Sequence, residues 1–123
     1  MKVKSSREVS VQLRIRILAG QEIALGPGKV ELLWLVQETH SISEAARQME
    51  MSYMRAWSLI QTMNHCFKTP VVQTMRGGSK RGGALLTETG ERLVALYGQL
   101  ETECLAAGKT TRREITSLLK KSS

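Results

Sequence analysis

The sequence predicts a mainly α-helical fold with a small β component, and three observations on its 123 residues indicate this class. Apolar residues recur at helical spacing in several stretches, which is typical of helices with one buried face. Shorter stretches beside glycine- and proline-rich breaks have the alternation or the composition of strands. Aromatic residues make up only 4% of the chain, so the core must be built from Leu, Val, Ile, Met and Ala.

The first predicted element is a strand pair near the N-terminus. Apolar and polar side chains alternate from Val11 to Leu18, and a period of two predicts a half-buried strand. Ala19-Gly20-Gln21 is predicted to form a turn, and Glu22 to Leu25 a short return strand. Gly26-Pro27-Gly28 then breaks the strand, and Pro27 is well placed near a helix start.

Two helices separated by a capped turn are predicted next. The first runs from about Lys29 to Thr39, and His40 ends it where a residue in a left-handed conformation is expected. Ser41 and Glu44 have the spacing of a capping box, in which each side chain binds the other residue's backbone amide. The second helix is short, and its inward positions are Ala45, Ala46 and Met49.

A third helix is predicted from Tyr53 to about Cys66, after a turn at Glu50-Met51. Ser52 is suited to cap it, because a serine hydroxyl accepts a hydrogen bond from a free amide of the first turn. Its apolar residues follow the i, i+3, i+4, i+7 spacing of one buried face: Ala56, Leu59, Ile60 and Met63. The outward positions near its start are Ser52, Tyr53, Arg55 and Ser58, with Gln61 further along.

A β-hairpin with a glycine-rich basic tip follows the third helix. Val71 to Met75 and Ala84 to Leu86 have strand character, whereas residues 76–83, RGGSKRGG, contain too much glycine for regular structure. Thr87 is predicted to cap a long last helix that Gly108 closes. The apolar stripe of that helix consists of Leu93, Val94, Leu96, Tyr97 and Leu100.

The domain prediction has three parts: a basic tail over residues 1–10, one domain over residues 11–107, and a basic C-terminal tail over residues 108–123. In the last part Thr111 and Glu114 have the spacing to cap one more short helix. Its apolar residues are Ile115, Leu118 and Leu119.

The charge distribution favours a polyanionic partner. Lys and Arg number 18 against 11 acidic residues, a net charge of +7, and every acid is Glu. Between Glu50 and Glu88 the chain has basic residues and no acid: Arg55, Lys68, Arg76, Lys80 and Arg81. Such an excess suits nucleic acid first and an anionic membrane surface second. The absence of Asp argues against Mg²⁺-dependent phosphoryl transfer.

Other functional classes find little support. No apolar run approaches the roughly 18 residues of a membrane span, and no signal peptide is recognisable, so a cytoplasmic protein is expected. Cys66 and Cys104 do not form a disulfide framework or a metal knuckle and are expected to be reduced thiols. No nucleophile motif, carboxylate pair or metal cluster indicates an enzyme, and no cofactor is predicted.

The order of elements, with a capped turn between two helices and a hairpin after them, is that of a winged helix-turn-helix. In this fold the third helix enters the major groove, where Arg can contact guanine through two hydrogen bonds. Serine and tyrosine hydroxyls and helix N-termini can bind phosphates. The candidate DNA-binding residues are Ser41, Ser43, Ser52, Tyr53, Arg55, Ser58, Arg76, Lys80 and Arg81.

Simpler interpretations of individual residues stay open. A glycine-rich basic loop is by itself most often a solvated loop, and a lone Arg55 is most often a solvated helix residue. Trp57 has three possible neighbours: DNA, a partner subunit or the core, with core or interface burial favoured. His65-Cys66 has poor spacing for a metal. The methionines are predicted to pack in the core: Met49, Met51, Met54 and Met63.

Several segments together resemble the molybdate-responsive, ModE-type regulators. These are SISEAA at 41–46, MSYMRAW at 51–57 with MN at 63–64, GGSKRGGA at 77–84 and LTETG at 86–90. The resemblance spans about Leu13 to Leu105, and the same elements are more loosely similar to LysR-type DNA-binding domains. It implies a dimeric, sequence-specific DNA-binding protein of bacterial type.

The resemblance also implies residue roles. Ser52, Tyr53 and Arg55 would lie in the major groove, with Arg76, Lys80 and Arg81 on the wing. The first helix, the N-terminal strand region and the long last helix would form the dimer interface. Full-length members of the family carry C-terminal oxyanion-binding domains, for which this sequence has no room, so no molybdate-binding residue is assigned and the effector is not identified.

The function expected from these observations is a transcriptional regulator that binds double-stranded DNA as a homodimer on a roughly palindromic operator. Two alternatives are kept. A winged-helix protein-interaction module would bind DNA weakly and without sequence preference. A thiol sensor would change its DNA affinity on oxidation of Cys66 or Cys104.

Overall fold

The computed structural model describes residues 8–75 and 83–120, and this part of the chain contains four strands and five helices. In chain order they are β1 (Ile17–Ala19), β2 (Glu22–Leu25), α1 (Pro27–Thr39), α2 (Ile42–Gln48), α3 (Tyr53–Cys66), β3 (Val72–Met75), β4 (Gly83–Leu86), α4 (Glu88–Ala107) and α5 (Lys109–Ser117). Each strand pair is an antiparallel two-stranded sheet. The predicted mainly helical winged helix-turn-helix is confirmed.

The core is centred on α1, which packs against α2, α3, α4 and β4. Four apolar residues of α1 are buried, and each contributes about 1.5–3 kcal/mol by removing its side chain from water: Leu32, Leu33, Leu35 and Val36. The small Ala45 and Ala46 on α2 are buried as predicted. The inner face of α3 consists of Ala56, Ile60 and Met63, so the predicted periodicity of that helix is confirmed.

Serine and threonine side chains cap three of the helices. Ser52 Oγ accepts a hydrogen bond from the Arg55 amide at 3.0 Å, and Thr87 Oγ1 accepts one from the Gly90 amide at 3.0 Å. Such a cap stabilises a helix by about 1 kcal/mol. The sequence therefore placed the starts of α3 and α4 correctly.

The capping box of α2 forms only in one direction. Ser41 Oγ accepts from the Glu44 amide at 3.0 Å, but the Glu44 carboxylate does not return to the Ser41 amide. It is bound by Arg47 and Gln48 on the next turn, and the Ser41 amide donates to Thr39 Oγ1 at 3.2 Å instead. The reciprocal half of the prediction is wrong because a nearby guanidinium is a stronger partner for a carboxylate than a neutral amide.

The turns on either side of α2 use left-handed residues. His40 has φ 57° and ends α1 as predicted, and Glu50 has φ 58° after α2. The His40 amide donates to the Val36 carbonyl at 2.8 Å, which closes the last turn of α1. These two turns set the direction in which α3 leaves α2.

The predicted N-terminal strand is much shorter than expected. β1 covers Ile17–Ala19, and Ile17 pairs with Leu25 at the end of β2. The partner β2 does not extend beyond Leu25 because α1 begins at Pro27, which has no amide hydrogen to donate to a ladder. Leu13 and Ile15 keep the alternation as half-buried side chains, and Tyr97 Oη donates to the Ile15 carbonyl at 2.6 Å.

The hairpin of β3 and β4 is fastened to the helices at its base. Its register pairs Val72 with Leu86 and Met75 with Gly83. The Ala84 amide donates to the His40 carbonyl at 3.0 Å, next to an isolated bridge between Ser41 and Gly83. Of the predicted irregular tip, residues 76–83, Gly83 instead belongs to β4 because it pairs with Met75, and residues 76–82 lie outside the described residues.

A second fastening joins α3 to the first strand of the hairpin. Asn64 Oδ1 accepts hydrogen bonds from the amides of Val71 at 2.7 Å and Val72 at 3.3 Å. Asn64 Nδ2 donates to the Val72 carbonyl at 3.4 Å. One side chain therefore satisfies the polar groups of a buried corner, because Val71 and Val72 are both buried.

The C-terminal helix begins earlier than predicted. Gly108 stands at the N-cap of α5 without a side-chain cap bond, so Thr111 lies within the first turn and does not cap it. Of its predicted apolar residues, only Ile115 belongs to α5; Leu118 and Leu119 follow its end and are exposed. No helix in the described residues is long and apolar enough to cross a membrane.

Candidate nucleic-acid interface

The candidate interface is built around the exposed edge of α3. Ser52, Tyr53, Arg55 and Ser58 are all exposed, while the opposite side of the helix is buried in the core. Because the inner face of α3 is packed in the core, its outer face has a fixed orientation. The structure thus places the four α3 candidates on the surface of a single helix, as predicted.

Two of the remaining candidates lie at the start of α2. Ser43 is exposed and Ser41 is half-buried, with its oxygen occupied by the cap bond from Glu44. A serine hydroxyl that accepts such a bond keeps its own proton for donation. Ser41 and Ser52 are therefore both able to donate to a phosphate oxygen while they cap their helices.

The wing candidates Arg76, Lys80 and Arg81 lie outside the described residues. What the structure shows is the base of the hairpin, where Met75 is exposed and Gly83 is half-buried. Because the first residues of β4 are bonded to the turn before α2, this end of the hairpin lies close to the helix-turn-helix.

The charges on this side are free to meet an anion. Within residues 8–75 and 83–120 the one ion pair joins Arg47 and Glu44 on α2. Arg55 and Lys68 therefore have no carboxylate partner in the described part of the chain. In the one pair that does form, hydrogen bonds from Arg47 and then Gln48 lower the pKa of Glu44 to about 2.

Several curated proteins are similar to most of this chain. MopB of Rhodobacter capsulatus, a molybdenum-pterin-binding protein by name, is 46% identical over 77 residues, which cover 63% of this chain and 28% of that protein. ModE of Azotobacter vinelandii, a molybdenum transport protein by name, is 39% identical over 84 residues, 68% of this chain and 31% of that one. The DNA-binding transcriptional dual regulator ModE of Escherichia coli K12 is 32% identical over 92 residues, 75% of this chain and 35% of that one. The resemblance to ModE-type regulators is confirmed.

The matched region is limited in extent. This ModE-like chain spans about a third of the length of the curated relatives it matches. A solved structure of a LysR family transcriptional regulator superposes with a TM-score of 0.51 at 18% identity, and covers 68% of this chain and 27% of that one. That likeness shows the fold. No protein-family model matches the chain.

Two expectations for α3 are corrected by the structure. Met54 is 68% exposed and does not pack in the core, in contrast to the buried Met63 and the half-buried Met49 and Met51. Trp57 is 40% exposed, so burial in the core of its own chain is wrong, and DNA or a partner subunit remains. Both side chains point outward because Ala56 and Ile60 already occupy the inner face.

Three cations beside Arg55 were missed by sequence reasoning. Arg14, Arg16 and Lys29 line the same cavity as Arg55, between the N-terminal segment and the starts of α1 and α3. The signal was present in the sequence as two arginines alternating with apolar residues. Its relevance to a binding site follows only from the fold, which brings that segment next to α3.

The cysteines do not form a reactive pair in this structure. Both are free thiols, and Cys66 Sγ lies 3.6 Å from Glu22 Oε1. Burial first, and then Glu22, raise the pKa of the Cys66 thiol. A raised pKa leaves less thiolate at neutral pH, and the thiolate is the reactive form. This environment makes Cys66 a weaker candidate for the thiol-sensor alternative.

Proposed function

We propose that the chain is a homodimeric, sequence-specific DNA-binding transcription regulator, with residues 11–107 as its DNA-binding domain. This proposal rests mainly on the exposed edge of α3, where outward polar and basic side chains lie next to a capped helix N-terminus. The relationship to ModE regulators supports it, since one relative is named a DNA-binding transcriptional regulator. None of the relatives compared above carries the name of an enzyme.

Sequence reading is assigned to α3. With this helix in the major groove, Arg55 would form two hydrogen bonds to a guanine, a contact worth about 1–3 kcal/mol of discrimination. Ser52 and Tyr53 would bind phosphates at the edge of the groove, as would Ser41 and Ser43 at the start of α2. Such phosphate contacts fix the register of the helix without reading bases.

The basic segment 76–82 is assigned to the DNA backbone or the minor groove. In sequence it joins the two strands of the hairpin and contributes Arg76, Lys80 and Arg81. Each phosphate that these cations neutralise releases condensed counterions, so binding weakens as salt is raised.

A second copy of the chain is the partner we assign to the uncovered apolar residues. Trp34 on α1, Leu96 on α4, and Leu118 and Leu119 after α5 are exposed in one copy. Two copies related by a twofold axis would present two α3 helices to half-sites about one helical turn apart. The operator is then roughly palindromic.

Variants of Arg55 and Lys80 test the two kinds of contact on a duplex selected from random sequence. Arg55→Ala is expected to lose discrimination at one position in each half-site, by a factor of about 5–150. Lys80→Ala is expected to weaken all duplexes alike and to lower the slope of log affinity against log salt by about 1. Arg113→Ala, on the exposed side of α5, serves as the charge control.

Equal losses for the selected duplex and for random DNA in Arg55→Ala would contradict the base-reading role. A wild-type protein without any preference would instead favour the protein-interaction module.

A further inference from the structure

A cavity of about 270 Å³ lies between the N-terminal segment and the starts of α1 and α3. Four cationic side chains line it from three different parts of the chain: Arg14, Arg16, Lys29 and Arg55. None of the lining residues, all of which the structure describes, is acidic. The volume is several times the roughly 30 Å³ that one water molecule occupies, so a small hydrated anion fits.

The start of α1 forms another part of the cavity lining. Gly26, Pro27 and Gly28 also line it, and Gly26 at the N-cap offers no side-chain cap bond. No acidic residue stands in the first turn of α1. The amides of Gly28 and Lys29 are among the first-turn donors that have no partner within a helix.

The aliphatic stem of Arg16 lies beside this helix start. Its Cγ lies 3.5 Å from the position that a Cβ on Gly26 would take, which is an ordinary van der Waals distance. Arg16 therefore borders the cavity next to the N-terminus of α1.

The four cations have no carboxylate within ion-pair distance among residues 8–75 and 83–120. Like charges that surround one cavity repel one another, and an anion placed between them reverses the sign of the interaction. Guanidinium groups are suited to phosphate because their donors match two oxygens at once. The cavity therefore has the chemistry of a phosphate site.

We propose that this cavity binds a phosphate group, and that its source is the DNA backbone bordering the bases that α3 reads. The assignment of the source rests on the proposed function. Arg55 connects the two sites, since it lies both on the exposed edge of α3 and on the wall of the cavity. The contact would anchor each half-site independently of the wing. Free inorganic phosphate is the other source of the same chemistry.

DNA titrations at several salt concentrations test the backbone source. Arg14→Gln/Arg16→Gln removes two exposed cations of the cavity, and Lys109→Gln/Arg113→Gln on α5 removes the same charge elsewhere. The cavity variant is expected to lower the salt slope by about 1 and to weaken binding about fivefold at roughly 150 mM salt, for selected and random duplexes alike. The α5 variant is expected to keep the wild-type slope, and far-ultraviolet circular dichroism checks that both variants fold.

Backbone amide spectra without DNA test the cavity itself. Inorganic phosphate, added at constant ionic strength against chloride, is expected to shift the amides of Gly28 and Lys29 in the wild type and not in the cavity variant. Shifts together with a lowered slope support a backbone phosphate, and shifts with an unchanged slope support free phosphate. No shifts, with equal slopes in the two double variants, overturn the proposal.

Sequence-specific DNA binding and phosphate binding in the cavity are rejected by different measurements. A wild-type protein without sequence preference would reject the proposed function, while the amide shifts would still show whether the cavity binds phosphate.

Discussion

Asn64 is predicted to be the main polar link between α3 and the hairpin. Its Oδ1 accepts from the amides of Val71 and Val72, which belong to a buried corner. Asn64→Ala removes the acceptor of both bonds, and the buried Val71 donor loses the shorter one. One unsatisfied buried donor costs about 1–3 kcal/mol. Alanine returns roughly 0.5 kcal/mol through its higher helix propensity.

The expected net loss is therefore about 0.5–2.5 kcal/mol in the free energy of unfolding. For a domain of this size it corresponds to a melting temperature lower by about 2–12 °C. Urea denaturation followed by circular dichroism, at one fixed protein concentration, measures the change. Gln61→Ala on the same helix is the control, because Gln61 forms no side-chain hydrogen bond within the described residues.

The comparison with aspartate sharpens this test. Asn64→Asp keeps an acceptor for both amides and loses only the long bond from Nδ2 to the Val72 carbonyl. It should therefore lose less stability than Asn64→Ala. Equal stability of Asn64→Ala and Gln61→Ala would contradict this role of Asn64, because the amides of Val71 and Val72 would then have other partners.

The remaining predictions concern α4. A Cβ on Gly90 would lie 2.2 Å from the Val71 carbonyl oxygen, so Gly90→Ala should cost about 3 kcal/mol in denaturant unfolding. Gly98→Ala in the same helix meets nothing within 4 Å and should stabilise by about 0.5–1 kcal/mol; equal effects at the two glycines would contradict this packing. Tyr97→Phe removes the bond to the Ile15 carbonyl and should cost about 1 kcal/mol at pH 7. Burial and then Glu101 raise the pKa of Tyr97, so the folded state holds this proton more tightly than the unfolded state does. The contribution is thus complete below the unfolded pKa of about 10 and declines as pH rises through the folded one. The stability gap between wild type and Tyr97→Phe should narrow above about pH 10, and a gap that widens would contradict the assignment.

Much of the fold was predictable from local sequence signals. The limits of α3, Tyr53 to about Cys66, followed from a capping serine and an apolar period, and the structure reproduces Tyr53–Cys66. His40 was expected to be left-handed from its position after α1, and it is. Caps, turns and helix periods depend on neighbouring residues, so the sequence specifies them directly.

Features that depend on a distant partner were harder to predict. The alternation from residue 11 to 18 indicated a long strand, but the length of a strand is limited by its partner, and β2 ends at Leu25, two residues before Pro27. The Glu44 carboxylate had two candidate partners, and the sequence did not show that Arg47 would bind it. A pattern identifies what a segment is able to form, while its neighbours in space decide what forms.

The candidate site divides in the same way. The exposed edge of α3 was predictable, because the outward positions of an amphipathic helix follow from its inward ones. The cavity formed by Arg14, Arg16, Lys29 and Arg55 was not, because its members come from three elements with no sequence spacing in common. The roles of the individual residues in DNA binding stay predictions.

We propose above that two α3 helices, one from each copy of this ModE-like chain, read DNA sequence as a symmetric pair. The decisive measurement is the selection of duplexes from a random library at about 150 mM salt, where backbone binding alone is weak. We expect an enriched inverted repeat with half-site centres about one helical turn apart. A folded protein that enriches no motif would contradict sequence reading by α3.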